Sequence, residues 1–453
     1  MNLLAVIAPV FWGVVVFSVL VFVHEGGHFL AARACGVRVT EFFLGLPCRF
    51  NLSHASKRIG TRFGVTPILL GGYAAVCGMD PTEVPCAPRV LGAIHRAGRI
   101  SVEELEAQLD LAHEEVMDAV VLLLSWGSIA PVYDASKGEG PRSAYYASAY
   151  AAVPRDRAGH TVFDGRVFDR AHATAEGEAW EPPVGDEAFF AAERERTYIG
   201  KGFWKRALIL LAGILVNLIT GMLLVVIVYS AIGVEAPRDT NVLGSVIAES
   251  PAQQAGLQAG DRITTIDGTD VSTWSDILKV VQGKKAGDTL EVAYTRSGTA
   301  RTAQVKTGSD GKLGIGVSYE HVHLAPWDSV RVGWTNLTAT AQGVVQLLIP
   351  QKTVETLNNS TSVIGISVMS AQAAAAGPAT LLNFIALISF SLAFMNLLPI
   401  PPLDGGKLLI EIIQKLTRRQ VPMRIQTGIS YAVMALLMVL FVYLARADIL
   451  RFF

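Results

Sequence analysis

Hydrophobic residues gather into four long runs, and those runs set the plan of the chain. From Leu3 to Val23 there is no charged residue, which predicts a transmembrane helix over 5–32 that stops at Ala34-Cys35-Gly36. Ala207 to Val234 is equally free of charge and predicts a second span. No charge occurs between Glu355 and Asp404, and the apolar end of that interval predicts a third span at 379–398. Ile425 to Ala445 is the fourth. A helix needs about 20 apolar residues to cross the hydrocarbon core, so each run is long enough. The first run lacks a basic start and a small-residue cleavage site, so it is expected to be a retained helix and not a signal peptide.

The intervening segments have other patterns. Region 37–80 is expected to be β-rich, because Gly60 to Tyr73 is apolar, partly β-branched and broken by glycine. It is too short to span as a helix, and a membrane-associated hairpin over 61–73 is predicted, its backbone buried in protein or lining a cavity, with an ordinary soluble hairpin as the alternative. Region 81–200 is an acidic insertion: between 83 and 192 there are 18 Asp and Glu against 9 Lys and Arg, a net of −9. Arg89–Ala97 reads as a helix, Ser101 with Glu104 forms a capping box for Val102–Leu111, and His113–Trp126 is a third helix. A strand follows in Gly127–Tyr133, and the set resembles a winged-helix module. Its third helix carries Glu114, Glu115 and Asp118 where a DNA reader needs Lys or Arg, so no nucleic-acid partner is expected and a docking or regulatory role is. Residues 135–195, rich in Ala, Gly and charge, are expected to be loosely structured.

Beyond the second span, Leu243 to Gly268 contains a strand, a turn, a short helix from Pro251 to Ala255 and a Gly260-Asp261 turn into Ile263–Ile266. With a helix at Trp274–Val281 and strands at Thr289–Thr295 and Arg301–Lys306, residues 236–320 resemble a PDZ domain of the bacterial protease type. Such domains take a peptide as an added strand. His321 and His323 follow and are too few for a metal site. In 321–378 the apolar face around Asp328 and Arg331 predicts an amphipathic helix lying at the membrane interface.

Composition agrees with this division. Hydrophobic residues make up 51% of the 453 and charged residues 17%, with a net charge of −1, which fits a polytopic membrane protein and not a polyanion binder. Cys35, Cys48, Cys77 and Cys86 lack paired spacing and are read as reduced thiols. Basic residues cluster at one end of each span: Arg33 to Arg62 after the first, Lys201 to Arg206 before the second, and Lys407 to Arg424 between the last two. The positive-inside rule then puts both termini and the PDZ domain outside and the insertion inside. The units are 1–36, 37–80, 81–200, 201–235, 236–320, 321–378, 379–406 and 407–453.

The chemistry lies at the inner ends of spans one and three. His24-Glu25-Gly26-Gly27-His28 puts two imidazoles on one helix face about 5–6 Å apart. That spacing lets both bind one tetrahedral metal with Glu25 beside its open position. Ionisable groups at membrane depth are functional by default. Asp404, just past the Pro-broken end of span three, reaches the same depth and is the natural third ligand. Asn217 is a single amide in span two, either an interhelical hydrogen-bonding group or a contact for a substrate backbone.

Those residues resemble the site-2 protease family, the intramembrane zinc metalloproteases, in its bacterial PDZ-containing branch of the regulator of sigma-E protease type. The resemblance rests on His24-Glu25-x-x-His28, Gly71-Gly72-Tyr73, and Asn396-x-x-Pro399-x-Pro401-x-Leu403-Asp404-Gly405, and covers 1–80 and 200–445. It implies one Zn²⁺ per chain on His24, His28 and Asp404, with Glu25 as general base. It also implies that Asn217 and Asn396 hold an unwound substrate, that the hairpin with Gly71, Gly72 and Tyr73 pairs with it, and that Pro399 and Pro401 shape the same site. Expected partners are single-span membrane proteins such as anti-sigma factors or remnant signal peptides, the lipid bilayer, and a peptide or substrate ectodomain at the PDZ groove. The expected location is the bacterial inner membrane. Two departures touch the substrate contacts: Ile214 follows Gly213 where the family has proline, and Leu69 replaces a proline before the glycine pair. The insertion has no counterpart in these motifs. The competing reading is a non-catalytic membrane PDZ scaffold with an inert zinc site. A transporter would need ionisable residues in more spans, and none occurs in the second or fourth as drawn.

Overall fold

In the computed structural model of the chain, the described residues are 3–48, 50–69, 71–79, 82–140, 146–358, 360–419 and 421–452. They form two compact units, 1–224 with 333–453, and 225–332. Among the described residues, four helices are long and apolar enough to cross a membrane, at Ile7–Ala34, Phe203–Ile232, Pro378–Leu397 and Arg424–Phe452.

Helix α1, Leu3–Ala34, is followed by a four-stranded sheet. Its strands are β1 (Val39–Leu44), β2 (Leu52–Ala55), β3 (Arg62–Val65) and β4 (Gly72–Val76), in the order β2-β3-β1-β4. The predicted hairpin over 61–73 is therefore corrected: its arms β3 and β4 do not pair but flank β1, parallel on one side and antiparallel on the other. Leu70, inside that prediction, lies outside the described residues. The reason is burial. Phe42 and Phe43 of β1 are 5% and 3% exposed, and the most apolar strand gains most from the central position. The connection wraps the end of β1, with Leu46 N–H donating to the Ile68 carbonyl (2.9 Å) and Gly45 N–H to that of Gly71 (2.7 Å). Beneath, Val39 and Val76 pack with Ala32 of α1 and with Ile209 and Leu210 farther along the chain.

The insertion contains α2 (Ala87–Ala97), β5 (Arg99–Ser101), α3 (Val102–Leu109), α4 (His113–Ser125), β6 (Ile129–Val132), β7 (Ala149–Ala152) and α5 (Asp186–Glu195). Its strands form an antiparallel sheet, β5-β7-β6. The Ser101–Glu104 capping box is formed as expected. The loose structure expected for 135–195 is corrected within its described part. Phe189 joins the core of Leu91, Ile94, Leu123 and Trp126, and Arg155 and Glu193 are fully buried. Glu193 accepts from Arg155 at 2.8 and 2.9 Å, from Arg38 at 2.7 Å, from Arg196 at 2.8 Å and from the Ser128 hydroxyl at 2.6 Å. Arg38 also forks onto Asp164, with both contacts at 2.7 Å. Composition reads these charges as solvated, but paired they form an interior network that ties the insertion to the segment following α1.

Helix α6, Phe203–Val226, leads into a π-helical turn at Ile227–Ile232. The second unit follows with β8 (Val234–Pro237), β9 (Leu243–Val246), α7 (Pro251–Gln254), β10 (Arg262–Ile266), β11 (Thr269–Asp270), α8 (Trp274–Gln282), β12 (Thr289–Arg296), β13 (Thr299–Lys306), β14 (Ile315–Val317) and β15 (Tyr319–Val322). Its sheets are β11-β10-β12-β13, β14-β9 and β15-β8, around Leu243, Ile263, Ile277, Val292 and Val305. A groove of about 420 Å³ runs between Trp274, Ile277 and Val281 of α8 and Leu313 and Ile315 at β14. His321 bonds the Ile232 carbonyl at 2.9 Å and belongs to no metal-binding group found among the described residues.

The remaining helices are α9 (Pro326–Leu347), α10 (Pro350–Asn358), α11 (Val363–Ala376), α12 (Pro378–Leu397), α13 (Asp404–Thr417) and α14 (Met423–Phe452). The interfacial reading of 321–378 is corrected at its C-terminal part: α11 packs along α1, with Ser367 against Gly13, where a β-carbon would not fit. Close backbone approach through small residues is how helices associate where no hydrophobic drive exists. The fourth span also extends past Ala445 and includes Asp448, which is buried. Its carboxylate accepts from Ser362 N–H (2.6 Å), Gly365 N–H (3.1 Å) and the Thr361 hydroxyl (3.1 Å), capping α11. These donors account for the charge, so Asp448 gives no support to a transport path.

Candidate metal centre

His24, Glu25 and His28 lie in the C-terminal half of α1, where α6 crosses close. A β-carbon on Gly27 would lie 2.6 Å from the Ala212 carbonyl oxygen. One on Gly213 would lie 2.5 Å from His28 Nε2 and 2.8 Å from His24 Cε1. Glycine at both positions lets the imidazole rings fill the crossing. Asp404 comes from the other end of the chain. The turn after α12 folds back so tightly that β-carbons on Gly405 and Gly406 would overlap the backbone of Leu397 and of Ile400–Pro401. That fold places Asp404 at the first residue of α13. Farther along α13, Glu411 pairs with Arg206 of α6 at 3.0 Å and accepts from the Tyr198 hydroxyl at 3.2 Å, fixing the helix that carries Asp404.

His24 Nε2 and His28 Nε2 each lie 3.1 Å from Asp404 Oδ2 and 3.3 Å from each other. A tetrahedral zinc with bonds of about 2.0 Å leaves its ligand atoms about 3.3 Å apart, so the donor triangle fits that ion in size and ligand type. His24 is 7% exposed and Asp404 9%. The outer ring nitrogens are held too. His28 Nδ1 donates to the Ile209 carbonyl of α6 at 2.8 Å, which leaves Nε2 a free lone pair. His24 Nδ1 faces the Asn217 amide at 3.2 Å.

Glu25 points to the sheet. Its Oε2 accepts from Ala74 N–H of β4 at 3.0 Å. Strand β4 is a sheet edge. Gly45 and Gly71 are a hydrogen-bonded pair, so by antiparallel alternation the polar backbone groups of Gly72 and Ala74 face the open side. That edge and the Glu25 carboxylate adjoin each other.

The sequence-predicted residues are thus partly united. His24, His28 and Asp404 form one cluster, with Glu25 and Gly72 next to it. Gly71 lies against Leu46, and Tyr73 stacks on Phe43 and donates to Glu41 at 2.8 Å. Asn217 is fully buried and lies against His24. Asn396 is half-buried in the last turn of α12, and Pro399 and Pro401 line the turn to Asp404, Pro399 exposed and Pro401 half-buried. Sequence reasoning missed the Ile209 carbonyl, which has no side-chain signal, and the Ala74 N–H. Gly27 and Gly213 were findable, since a glycine in each of two apolar spans marks a close helix crossing.

Peptidase family M50 matches residues 12–440. The zinc metalloprotease RasP of Geobacillus kaustophilus is 26% identical over 461 aligned positions, covering 97% of each chain. The regulator of sigma-W protease RasP of Bacillus subtilis is 25% identical, covering 97% of this chain and 98% of that one. Both alignments run through the insertion, which the motif resemblance left out. The PDZ domain of the SdrC-like protein Lmo2051 from Listeria monocytogenes is 30% identical over 20% of this chain and 94% of that one, with a TM-score of 0.16. A family match over nearly the whole length, on a chain whose two histidines and distant aspartate meet at one point, leaves one assignment: this protein belongs to peptidase family M50, the site-2 proteases.

Proposed function

We propose that the protein is an intramembrane zinc endopeptidase that cuts single-span membrane proteins in or beside their transmembrane segments. The observation that carries this is the 3.1–3.3 Å triangle of His24, His28 and Asp404, with Glu25 between it and an open strand edge. His24, His28 and Asp404 hold one zinc per chain. When bound, zinc supplies a Lewis acid that acidifies water and polarises a peptide carbonyl. Glu25 takes the proton from the attacking water and returns it to the leaving amine. Its hydrogen bond from Ala74 keeps one oxygen fixed and leaves the other to move that proton.

A substrate helix hides its carbonyls in its own hydrogen bonds, so it must unwind before it is cut. The open edge of β4 receives the unwound strand through the backbone groups of Gly72 and the carbonyl of Ala74, replacing the lost helical bonds with ladder bonds, while the Ala74 N–H stays with Glu25. Asn396 in the last turn of α12, and Pro399 and Pro401 in the turn to Asp404, supply further contacts to that strand. The second unit is a PDZ domain, and its groove beside α8 takes a peptide or a substrate ectodomain. The insertion is a winged-helix module by its order helix, strand, helix, helix, strand, strand. Its acidic α4 makes it a protein-docking element and not a DNA reader.

The protein lies in the bacterial inner membrane, with both termini and the PDZ domain outside and the site near the cytoplasmic face, as the basic flanks direct. A relative named as a regulator of sigma-W protease makes a membrane-anchored anti-sigma factor the first substrate class to try, and remnant signal peptides the second. The test is reconstitution of the purified protein in liposomes with a single-span protein bearing a shortened ectodomain. Cleavage should stop with a zinc chelator and return with stoichiometric Zn²⁺. Cleavage that persists in a protein shown to contain no zinc rejects the proposal.

A further inference from the structure

The two zinc-facing histidines are not held alike. The Ile209 carbonyl can only accept, so it fixes the proton of His28 on Nδ1 and leaves Nε2 bare. The partner of His24 Nδ1 is an amide, which can present either end. As placed, Asn217 Nδ2 faces His24 Nδ1 at 3.2 Å, while Asn217 Oδ1 is buried with no hydrogen-bond partner. An amide N–H given to Nδ1 would force the ring proton onto Nε2. That is the atom lying 3.1 Å from Asp404 Oδ2 and 3.3 Å from His28 Nε2, where a lone pair is required. The two ends of an amide are nearly the same in shape, so which one faces the ring is decided by the hydrogen bonds. Turned over, Oδ1 accepts from Nδ1–H, both histidines have the same tautomer, and the unpartnered end becomes an NH₂ group.

We infer that Asn217 is a positioning residue for His24: its amide oxygen accepts the Nδ1 proton and holds the Nε2 lone pair toward the metal site. This rests on the zinc reading above and departs from the substrate-contact role that the family resemblance implies. Asn217 is fully buried, and its backbone carbonyl accepts from the Ser389 hydroxyl at 2.8 Å, so α12 fixes that turn of α6 while the side chain serves the ring. Outer-sphere partners of this kind set ligand orientation and basicity.

The test is zinc affinity, by chelator competition on the purified full-length protein, for the wild type, Asn217→Leu and Asn217→Asp. Leucine fills the space with no acceptor and should weaken zinc binding by about 10–100-fold, the usual loss for such a partner. Aspartate keeps the acceptor and should bind zinc at the wild-type level or tighter. A second measurement is direct: ¹⁵N resonances of His24 in the zinc-loaded wild type should show the ring proton on Nδ1. The inference is overturned if Asn217→Leu binds zinc as tightly as the wild type, or if His24 Nδ1 carries no proton. If the wild type itself takes up no zinc, it is the metalloprotease reading that fails.

Discussion

At the scale of single residues, the site is set by what two glycines omit. A β-carbon on Gly213 would press on both His24 and His28, so Gly213→Ala should leave α6 helical yet push the rings apart and cost about 10–100-fold in zinc affinity, read by chelator competition. An unchanged affinity would show that the crossing has slack. The three side chains that meet there were legible in the sequence. His24 and His28 have the spacing of one helix face, and Asp404 is an acid at matching membrane depth 380 residues away from the first. Their supports were not legible. A backbone carbonyl such as that of Ile209 has no residue type to read, and Asn217 could be read either as an interhelical bond or as a substrate contact.

At the scale of elements, alternation and helical period gave helix and strand positions well. The Ser101 capping box and the α8 helix lie where expected. Pairing was harder, because strand order depends on which strand is buried and not on which are adjacent. The interior ionic network was the larger surprise, since a buried charge looks like a solvated one in a composition count. It has consequences that can be measured. Replacing Glu193 with Gln leaves Arg38 and Arg155 facing an uncharged partner, and loss of one member of a buried pair costs about 3–5 kcal/mol. Hydrogen exchange across 87–195 should accelerate accordingly.

His95 gives the insertion a pH dependence. It donates from Nδ1 to the Leu91 carbonyl and accepts at Nε2 from Arg155 Nε, each at 3.0 Å. Burial and the adjacent Arg155 push it down from 6.5 to about 3. A folded value below the unfolded one means that the unfolded chain binds the proton first. The stability it contributes is therefore complete above pH 6.5 and declines as pH falls toward 3, by about 1.4 kcal/mol per unit. Between pH 6.5 and 4.5 this histidine should dominate. Below that window the carboxylates of Glu193 and Asp164, held low by the arginines around them, add to the loss. Exchange protection of 87–195 should fall with pH in the wild type and stay flat from 6.5 to 4.5 in His95→Gln. Equal slopes would remove His95 from the account.

At the scale of the whole molecule, the described residues include four helices long and apolar enough to cross a membrane, and α1 and α13 bring His24, His28 and Asp404 together in the unit formed by 1–224 and 333–453. The number of spans and their positions were readable from charge-free runs alone. The extra length of α14 was not, because Arg446 and Asp448 interrupt the run that the eye follows. The measurement that bears most directly on intramembrane proteolysis is the cut site. Wild type and Glu25→Gln, each loaded with zinc, are reconstituted with the same single-span substrate, and the products are mapped by mass spectrometry. The wild type should cut within or at the edge of the substrate's transmembrane segment. Glu25→Gln should retain the zinc and lose activity by about 10²–10⁴-fold, the usual contribution of a positioned general base. Cleavage by Glu25→Gln at the wild-type rate, or a wild-type cut confined to the soluble ectodomain, would contradict the account.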